Sequence, residues 1–232
     1  MVAALSSPTR PLPAGGETWT WTPAQGALTW CRVYHLGTYT RSGHDPRAFG
    51  PLSRFDPHRR TASGERQVDP DGRSVLYVGL DLATSLCEVF GEVLEAQICS
   101  RWRVAVLQPL TPLQLFDLCA PGAAMSIGAL PALADGDVDR ALTQEWARAI
   151  YEDQPASGAV TGIRYRSAYN GDLALALWDS AGKVATATSA RGADFALNDP
   201  LMLGRVRVAC STRRIAVEVV DPARCTQCRA DP

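Results

Sequence analysis

Strand-like segments outnumber helix-like segments in this chain, and their order limits the folds it can adopt. Short runs rich in β-branched and aromatic residues lie toward both ends, whereas two amphipathic helical patterns lie in the middle. The regular strand–helix alternation of a doubly wound parallel sheet is absent. The pattern therefore predicts a single α+β domain. The strand-like runs are residues 28–36, 74–80, 102–110, 113–118, 160–168, 173–179, 183–188, 203–209 and 214–220.

The two helical patterns cover residues 81–96 and 137–152. Asp81 is placed to cap the first helix, because its carboxylate can accept a hydrogen bond from a free N–H group of the first turn. Apolar residues recur at three- and four-residue spacing in both segments, which predicts one buried stripe on each helix. The stripe residues are Leu82, Leu86, Val89, Phe90, Val93 and Leu94 in the first helix, and Leu142, Trp146, Ala149 and Ile150 in the second.

Changes in composition mark the ends of the predicted domain. Residues 1–17 are rich in Pro, Ala, Ser and Gly, which predicts a disordered N-terminal tail. The domain itself is expected over residues 18–222, followed by a short C-terminal tail at 223–232. Residues 37–73 contain few apolar side chains and many Gly, Pro, Asp, Arg and Ser, so we expect a long and partly mobile loop there.

Charge and hydropathy exclude several classes of function. The 232 residues are 46% hydrophobic and 20% charged, with a formal net charge of -1, as is typical of a globular domain. A near-neutral balance argues against direct nucleic-acid binding, which usually needs a basic excess. The longest apolar runs, such as 173–178, are far shorter than the roughly 20 residues that cross a bilayer. We therefore expect neither nucleic-acid nor membrane association.

The cysteines and histidines indicate no obvious site. Seven cysteines lie scattered in apolar context, and the N-terminus lacks the pattern of a secretion signal, so we expect reduced thiols and a cytoplasmic location. Cys225 and Cys228 have the spacing of paired zinc ligands, but no second CxxC or HxxxH pair completes a set of four. We therefore expect no metal site and interpret the pair as incidental. His44 and His58 are interpreted as exposed loop residues.

Five polar residues stand beside apolar segments and remain as candidates for chemistry. The phosphate-binding loop, the dinucleotide-binding glycine pattern and the nucleophile elbow of hydrolases are all absent from the sequence. The remaining candidates are Arg32 in WCRVYH, Arg54 in FGPLSRFDP, Tyr77 in VLYVGL, Glu88 in ATSLCEVFGE and Ser167 in IRYRSAYNG.

These segments resemble the RES domain family over roughly residues 30–179. The matching pieces are an Arg-x-Tyr on an early strand, a Gly-x-x-x-Arg-Phe loop, a Leu-Tyr strand leading into a helix with Ala and Glu, and a late Tyr-x-Ser. The interval of eleven residues between Tyr77 and Glu88 is the most specific element. The sequence departs from the family pattern in a longer loop after Arg54, and in Arg166, which stands where proline commonly precedes the serine.

The resemblance implies an ADP-ribosyltransferase-like core with a mixed or antiparallel sheet and flanking helices. It also implies that NAD is a substrate, cleaved at the nicotinamide–ribose bond, rather than a resident cofactor. The ADP-ribosyl group would pass to water, to phosphate or to a protein. By resemblance, the catalytic residues are Glu88, Arg32 and Ser167, and the NAD-binding residues are Arg32, Arg54, Tyr77 and Ser167.

Physical chemistry gives each of these residues a role. Arginine forks suit the two phosphates of NAD, and an aromatic ring such as that of Tyr77 can stack on the cationic nicotinamide. A carboxylate such as that of Glu88 would stabilise the oxocarbenium-like centre that forms when the bond breaks. Ser167 would orient the substrate by hydrogen bonding. Without the resemblance, Glu88 would be interpreted as a solvated glutamate beside Glu92 and Glu95.

The resemblance further implies a partner, because the family includes NAD-degrading toxins paired with DNA-binding-type antitoxins. We expect an Xre-type antitoxin that blocks the NAD cleft, within a homo-oligomer or a toxin–antitoxin hetero-oligomer. Two alternatives from other classes stay open. The chain could be a catalytically silent module that binds NAD or ADP-ribose, or an interaction domain that binds another protein through residues 37–73.

Overall fold

The computed structural model describes residues 4–134, 138–189 and 192–230, which form thirteen strands and five α-helices. The strands are β1 (Thr18–Trp21), β2 (Trp30–His35), β3 (Phe49–Gly50), β4 (Gln67–Val68), β5 (Val75–Gly79), β6 (Glu95–Ile98), β7 (Trp102–Pro109), β8 (Leu113–Asp117), β9 (Gly162–Arg166), β10 (Leu173–Trp178), β11 (Val184–Thr186), β12 (Asp194–Ala196) and β13 (Ala216–Val219). The helices are α1 (Leu82–Phe90), α2 (Ala123–Ser126), α3 (Arg140–Asp153), α4 (Pro200–Ser211) and α5 (Thr226–Ala230).

A nine-stranded mixed sheet organises the molecule. Its strand order is β1-β8-β9-β10-β5-β2-β7-β11, and β12 also pairs with β7. Its ladders are antiparallel except the one between β8 and β9. The central strand β2 pairs with β7 from end to end, with Trp30 opposite Leu107 and His35 opposite Trp102. Two small sheets, β13 with β6 and β3 with β4, complete the structure. The predicted α+β domain with a mixed sheet and flanking helices is confirmed.

Helices cover the sheet and enclose its core. Helix α3 buries Trp146 and Ile150 against Ile163 of β9 and Trp178 of β10. Helices α1 and α4 pack against each other in a second cluster around Val33 of β2. Burial of each such side chain contributes about 1.5–3 kcal/mol to folding. β2 and β5 are interior strands, flanked by β7 and β10, and the ladder between them consists of the single pair Cys31 and Gly79.

Helix α1 begins as predicted but ends earlier than residue 96. Oδ1 of Asp81 accepts a 2.7 Å hydrogen bond from the backbone N–H of Thr84, which confirms the N-cap. The helix ends at Phe90, and Leu94 adopts a left-handed backbone conformation at φ 54°. Residues 95–98 then form β6, which pairs in parallel with β13. The predicted stripe therefore breaks, and Val93 and Leu94 are exposed.

The strand predicted at 203–209 is wrong, because these residues lie within helix α4. The carboxylate of Asp199 caps this helix by accepting from the N–H of Leu201, and Pro200 occupies its first turn, where proline needs no hydrogen-bond partner. Valines at every second position of this segment are also typical of a strand, which is why the sequence predicted one. In the helix, Val206 is buried whereas Val208 is exposed.

Both terminal segments pack against the domain, in contrast to the tails expected at 1–17 and 223–232. Leu12 is buried, and Arg10 forms ion pairs with Glu152 and Asp153 at the end of α3. Residues 1–3 and 231–232 lie outside the described residues. At the other end, Cys225 is buried just before helix α5 and Cys228 is buried within it. The physical reason is that each segment carries a few apolar or charged side chains that find partners on the core.

Residues 37–73 are mostly irregular, as expected, but buried ion pairs and hydrogen bonds hold them against the domain. Asp56 and Asp69 have carboxylates with no exposed surface, and each is paired with arginine. The interpretation of His58 as an exposed loop residue is wrong, since it is only 2% exposed. Burial lowers the pKa of the His58 imidazole, which favours its neutral form. His44 is half-buried, with Nδ1 3.3 Å from the hydroxyl of Thr186.

Candidate functional site

A cleft of about 390 Å³ lies where β2, β5, α1 and the loop after β3 meet. This volume falls in the range of small-molecule sites, about 300–1,000 Å³. Four of the five residues singled out from the sequence line it, namely Arg32, Arg54, Tyr77 and Glu88. Ser167 does not belong to the lining. The cleft therefore brings together side chains that are spread over 57 positions of the sequence, from 32 to 88 counted inclusively.

Glu88 lies on the cleft side of α1 and is held by a tyrosine from the sheet. It is half-buried, unlike the solvated glutamate that would be inferred without the family resemblance. Its Oε2 accepts a 2.9 Å hydrogen bond from the hydroxyl of Tyr165 on β9. Burial and the charge of Glu88 raise the pKa of Tyr165 well above its usual value, so the hydroxyl stays protonated and acts as a donor.

Arg32 extends from the central strand β2 and fastens the loop that follows it. Nη1 donates to the backbone carbonyls of Gly43, at 2.9 Å, and Asp45, at 2.6 Å. Burial lowers the pKa of Arg32 to about 10, although the carboxylate of Asp45 opposes the shift. The guanidinium therefore stays charged at neutral pH. Both hydrogen bonds are donated by Nη1, so the carbonyls of the loop fix the orientation of the planar guanidinium, which lines the cleft.

Arg54 enters the cleft from the loop after β3. Its guanidinium carbon lies 4.9 Å from the ring centre of Phe55 and 6.0 Å from that of Tyr165. Stacking of this kind contributes about 0.5–2 kcal/mol and fixes the plane of the guanidinium. Nη2 lies 3.5 Å from the carbonyl oxygen of Leu133. The aromatic rings thus position the guanidinium of Arg54 at the cleft.

Tyr77 on β5 places its ring in the cleft and its hydroxyl on a buried carboxylate. The hydroxyl donates to Oδ1 of Asp56 at 2.9 Å and accepts from the N–H of Phe55 at 2.9 Å. Burial, reinforced by Asp56, raises the pKa of Tyr77 well above its usual value. Since the hydroxyl is engaged, what Tyr77 offers a ligand is its ring.

Asp56 joins the loop to the sheet and was missed by the sequence analysis. Its carboxylate accepts two hydrogen bonds from Nη2 of Arg47, at 2.9 and 2.7 Å, and two from the backbone N–H groups of Leu52 and Ser53. Together with Tyr77, these donors surround a carboxylate that is fully buried. A buried carboxylate is stable only when it is hydrogen-bonded in this way. Asp56 therefore fixes the loop that carries Arg54.

Ser167 lies beside the cleft, in the turn after β9, and is 3% exposed. Its Oγ accepts from the N–H of Tyr169 at 3.3 Å, and its backbone N–H donates to the carbonyl of Asp172 at 2.8 Å. The two residues that follow it, Ala168 and Tyr169, line the cleft. In this structure Ser167 thus shapes a turn that forms one wall of the cleft.

Other cleft residues were not singled out from the sequence. Tyr165 belongs to the Tyr-x-Ser piece of the resemblance, so that motif pointed to it without giving it a role. Arg47, Arg140, Glu92 and Tyr169 carried no such signal and reach the cleft only through the fold. The described lining residues include four arginines and two glutamates, with Arg47 paired to Asp56 and Arg140 paired to Glu92. Such a lining favours an anionic ligand with flat rings.

The fold and the cleft together define the class: an α+β domain with a mixed sheet and a cleft lined by arginine, tyrosine and a helical glutamate. The RES domain family matches residues 29–198, which is most of the chain, and the chain belongs to this family. The resemblance inferred from the short motifs is confirmed by this match. Among curated proteins, none matches the sequence.

A solved structure has the same fold. It is a chain of the crystal structure of the M. tuberculosis MbcT–MbcA toxin–antitoxin complex, with a TM-score of 0.52 and 17% sequence identity. The match covers 82% of this chain and 92% of that chain. In the described ranges, none of the helices has the length and apolar character needed to cross a membrane.

Proposed function

We propose that this protein cleaves NAD at the bond between nicotinamide and ribose, and that it is a toxin neutralised by an antitoxin. The observation that carries the proposal is the arrangement of Arg32, Arg54, Tyr77 and Glu88 around one cleft. NAD presents two phosphates, two flat base rings and one glycosidic bond to a positively charged nitrogen. The cleft offers arginines for the phosphates, the ring of Tyr77 for the nicotinamide and the carboxylate of Glu88 for the ribose at the bond that breaks.

Binding comes first in this proposal. The forks of Arg32 and Arg54 bind the diphosphate, since charge-assisted bonds of this kind are short and strong. The ring of Tyr77 stacks on the nicotinamide, which contributes about 0.5–2 kcal/mol while the ring is cationic. Because the protein arginines are already oriented by loop carbonyls and aromatic rings, little side-chain entropy is lost on binding.

Bond cleavage then depends on Glu88. The bond between C1′ of the ribose and the nicotinamide nitrogen breaks, and its electron pair leaves with nicotinamide. Positive charge develops on the ribose, where the Glu88 carboxylate stabilises it. An acceptor oxygen then bonds to C1′ and gives up its proton. With water as the acceptor, the products are ADP-ribose, nicotinamide and one proton; phosphate or a protein nucleophile would replace water in the same step. Tyr165 acts as a positioning residue for Glu88.

The partner follows from the same family. We infer that an Xre-type antitoxin binds over the cleft and blocks NAD, within a hetero-oligomer or with a second copy of this chain. The fold similarity to a chain from a toxin–antitoxin complex supports this inference. Purification from its native host should recover the chain together with a small protein that suppresses nicotinamide release. Full activity of the chain purified with all its native partners would contradict the inhibitory role.

The central test measures nicotinamide released from NAD by the purified chain and by Glu88→Gln. We expect the substitution to lower the rate by roughly 100-fold or more, the usual cost of removing a group that stabilises transition-state charge. Glu95→Gln changes an exposed glutamate on β6 and is the matched control. Circular dichroism checks that both variants are folded. Equal rates in Glu88→Gln and the unchanged chain would overturn the mechanism.

Three further measurements test the alternatives, the acceptor and the toxin role. Calorimetry with NAD identifies a silent binding module if heat of binding is seen while no nicotinamide is released. Product analysis in buffers with and without phosphate identifies the acceptor, because ADP-ribose and its phosphorylated form differ in mass. NAD depletion in cells after induced expression tests the toxin role directly.

A further inference from the structure

The fold collects one histidine and three cysteines at a point away from the cleft. His35 is the last residue of β2, Cys99 follows β6 directly, and Cys225 and Cys228 lie at the start of α5. Their ligand atoms, one from each residue, all lie within 4.8 Å of one another. The side chains come from three separate parts of the chain, so no spacing rule applied to the sequence detects the set.

The geometry points to a Zn²⁺ site, and we propose that His35, Cys99, Cys225 and Cys228 bind one structural zinc ion. In a tetrahedral site with Zn–S bonds of about 2.3 Å, ligand atoms are about 3.5–3.8 Å apart. The structure places Nε2 of His35 3.2 Å from Sγ of Cys228, and Sγ of Cys99 3.5 Å from the same sulfur. Small shifts of the side chains therefore complete the coordination.

The surroundings suit metal-bound thiolates. The backbone N–H of Arg101 donates to Sγ of Cys99 at 3.4 Å. Donors of this kind disperse the negative charge of three thiolates on one cation. The imidazole of His35 packs edge-on against Trp102 at 5.1 Å, which fixes the orientation of its ring.

Burial indicates a closed, structural site. His35 and Cys228 are 9% exposed, whereas Cys99 and Cys225 are 0% and 1% exposed. Four protein ligands leave no open position for water or substrate, which distinguishes structural zinc from catalytic zinc. A disulfide is a different use of the same sulfurs. The 3.5 Å between Cys99 and Cys228 is a contact distance, well beyond the roughly 2.05 Å of an S–S bond.

A zinc ion here would fasten the C-terminal segment to the sheet. Cys225 and Cys228 flank the start of α5, and His35 ends the strand that also carries Arg32. The site replaces the expectation of no metal, which rested on the absence of a second ligand pair in the sequence. His35 and Cys99 are that second pair, supplied by the fold. The proposal is independent of the proposed NAD chemistry.

Metal analysis of the full-length chain tests the proposal. The protein is purified without a histidine tag, under reducing conditions and from zinc-supplemented medium, and its metal is measured by mass spectrometry. We expect one zinc per chain. Reconstitution with Co²⁺ should give the visible absorption bands of a tetrahedral thiolate site. Cys228→Ser should lower the zinc content at least tenfold, whereas Cys210→Ser, which changes a buried cysteine outside the set, should retain it.

The outcome is decisive even if Cys228→Ser does not fold, because the cobalt spectrum and the metal content use the unchanged chain. A chelator should also lower the Tm of that chain, since loss of zinc removes folding free energy. Metal-free protein under these conditions, or an intact mass 2 Da lower from a disulfide, would overturn the proposal. Full zinc content in a folded Cys228→Ser variant would do the same.

Discussion

The hydroxyl of Tyr165 donates a 2.9 Å hydrogen bond to Oε2 of Glu88, although the two residues are 77 positions apart in the sequence. The tyrosine lies on β9 and the glutamate on α1, so the bond joins the sheet to the helix at the cleft. A carboxylate held by such a bond has a defined position before any ligand arrives. This preorganisation is what transition-state stabilisation requires.

Tyr165→Phe removes this bond and retains the buried ring. A hydrogen bond to a charged group contributes about 1.5–3 kcal/mol, so we expect kcat for nicotinamide release to fall about tenfold or more, with a smaller change in KM. Tyr39→Phe is the matched control, because Tyr39 is 88% exposed. Steady-state kinetics distinguish the two variants. A change confined to KM would assign Tyr165 to binding instead.

Arg32→Lys and Arg54→Lys keep the charge and lose the planar fork. We expect each to lower kcat/KM for NAD at least roughly tenfold, because lysine cannot reproduce a bidentate contact or stack on the rings beside Arg54. Arg32→Lys also loosens the loop at Gly43 and Asp45. Arg205→Lys, on the exposed face of α4, should behave like the unchanged chain. Near-normal turnover in both cleft variants would argue against binding of the diphosphate at these arginines.

Asp56→Asn tests the buried junction between the loop and the sheet. The variant keeps the size of the side chain but leaves the Arg47 charge without its carboxylate. The NH2 group of the asparagine would also face N–H and O–H groups that now donate to Asp56, such as the Tyr77 hydroxyl. Breaking a buried pair in this way costs about 3–5 kcal/mol. Urea unfolding should show this loss of stability. Asp71→Asn changes an exposed partner of Arg59 and should cost less than about 1 kcal/mol.

The pH dependence of stability has a predicted contribution from Asp69. Burial opposes ionisation of this carboxyl, but hydrogen bonds from Arg59 and from the backbone N–H of Asp71 outweigh it and lower the pKa to about 2, from an ordinary value of 3.8. The folded state therefore binds fewer protons than the unfolded state in this interval. The stabilisation that the Asp69 carboxylate contributes to the folded state is present above about pH 4 and is lost as the pH falls toward 2. Urea unfolding measured across this range should give a shallower dependence for Asp69→Asn than for the unchanged chain. Identical slopes would contradict the assignment.

Local sequence patterns predicted several elements correctly. The strand at 28–36, the strand at 74–80 and the Asp81 cap are all present, because their signals arise from neighbouring residues and the backbone itself. The segment at 203–209 was predicted as a strand and is helical. Its alternating valines suit either structure, and the cap at Asp199 with Pro200 favours the helix.

The cleft was predictable only in part. The RES motifs identified Arg32, Arg54, Tyr77 and Glu88, and the structure brings these four together. Asp56 and Arg47 lie close to one motif but carry no signal of their own, because a buried ion pair depends on which loop closes over which strand. The role of Ser167 in catalysis stays a prediction, since its contacts in the structure are those of a turn.

The sequence by itself determined the α+β class, the capped helix that carries Glu88 and the family to which the chain belongs. These follow from periodicity, capping and ordered motifs, which are properties of residues near one another along the chain. Only the tertiary structure decided that Tyr165 meets Glu88, that Asp56 holds the loop of Arg54, and that His35 and Cys99 join Cys225 and Cys228. Contacts of this kind depend on strand order and register, which no local pattern specifies.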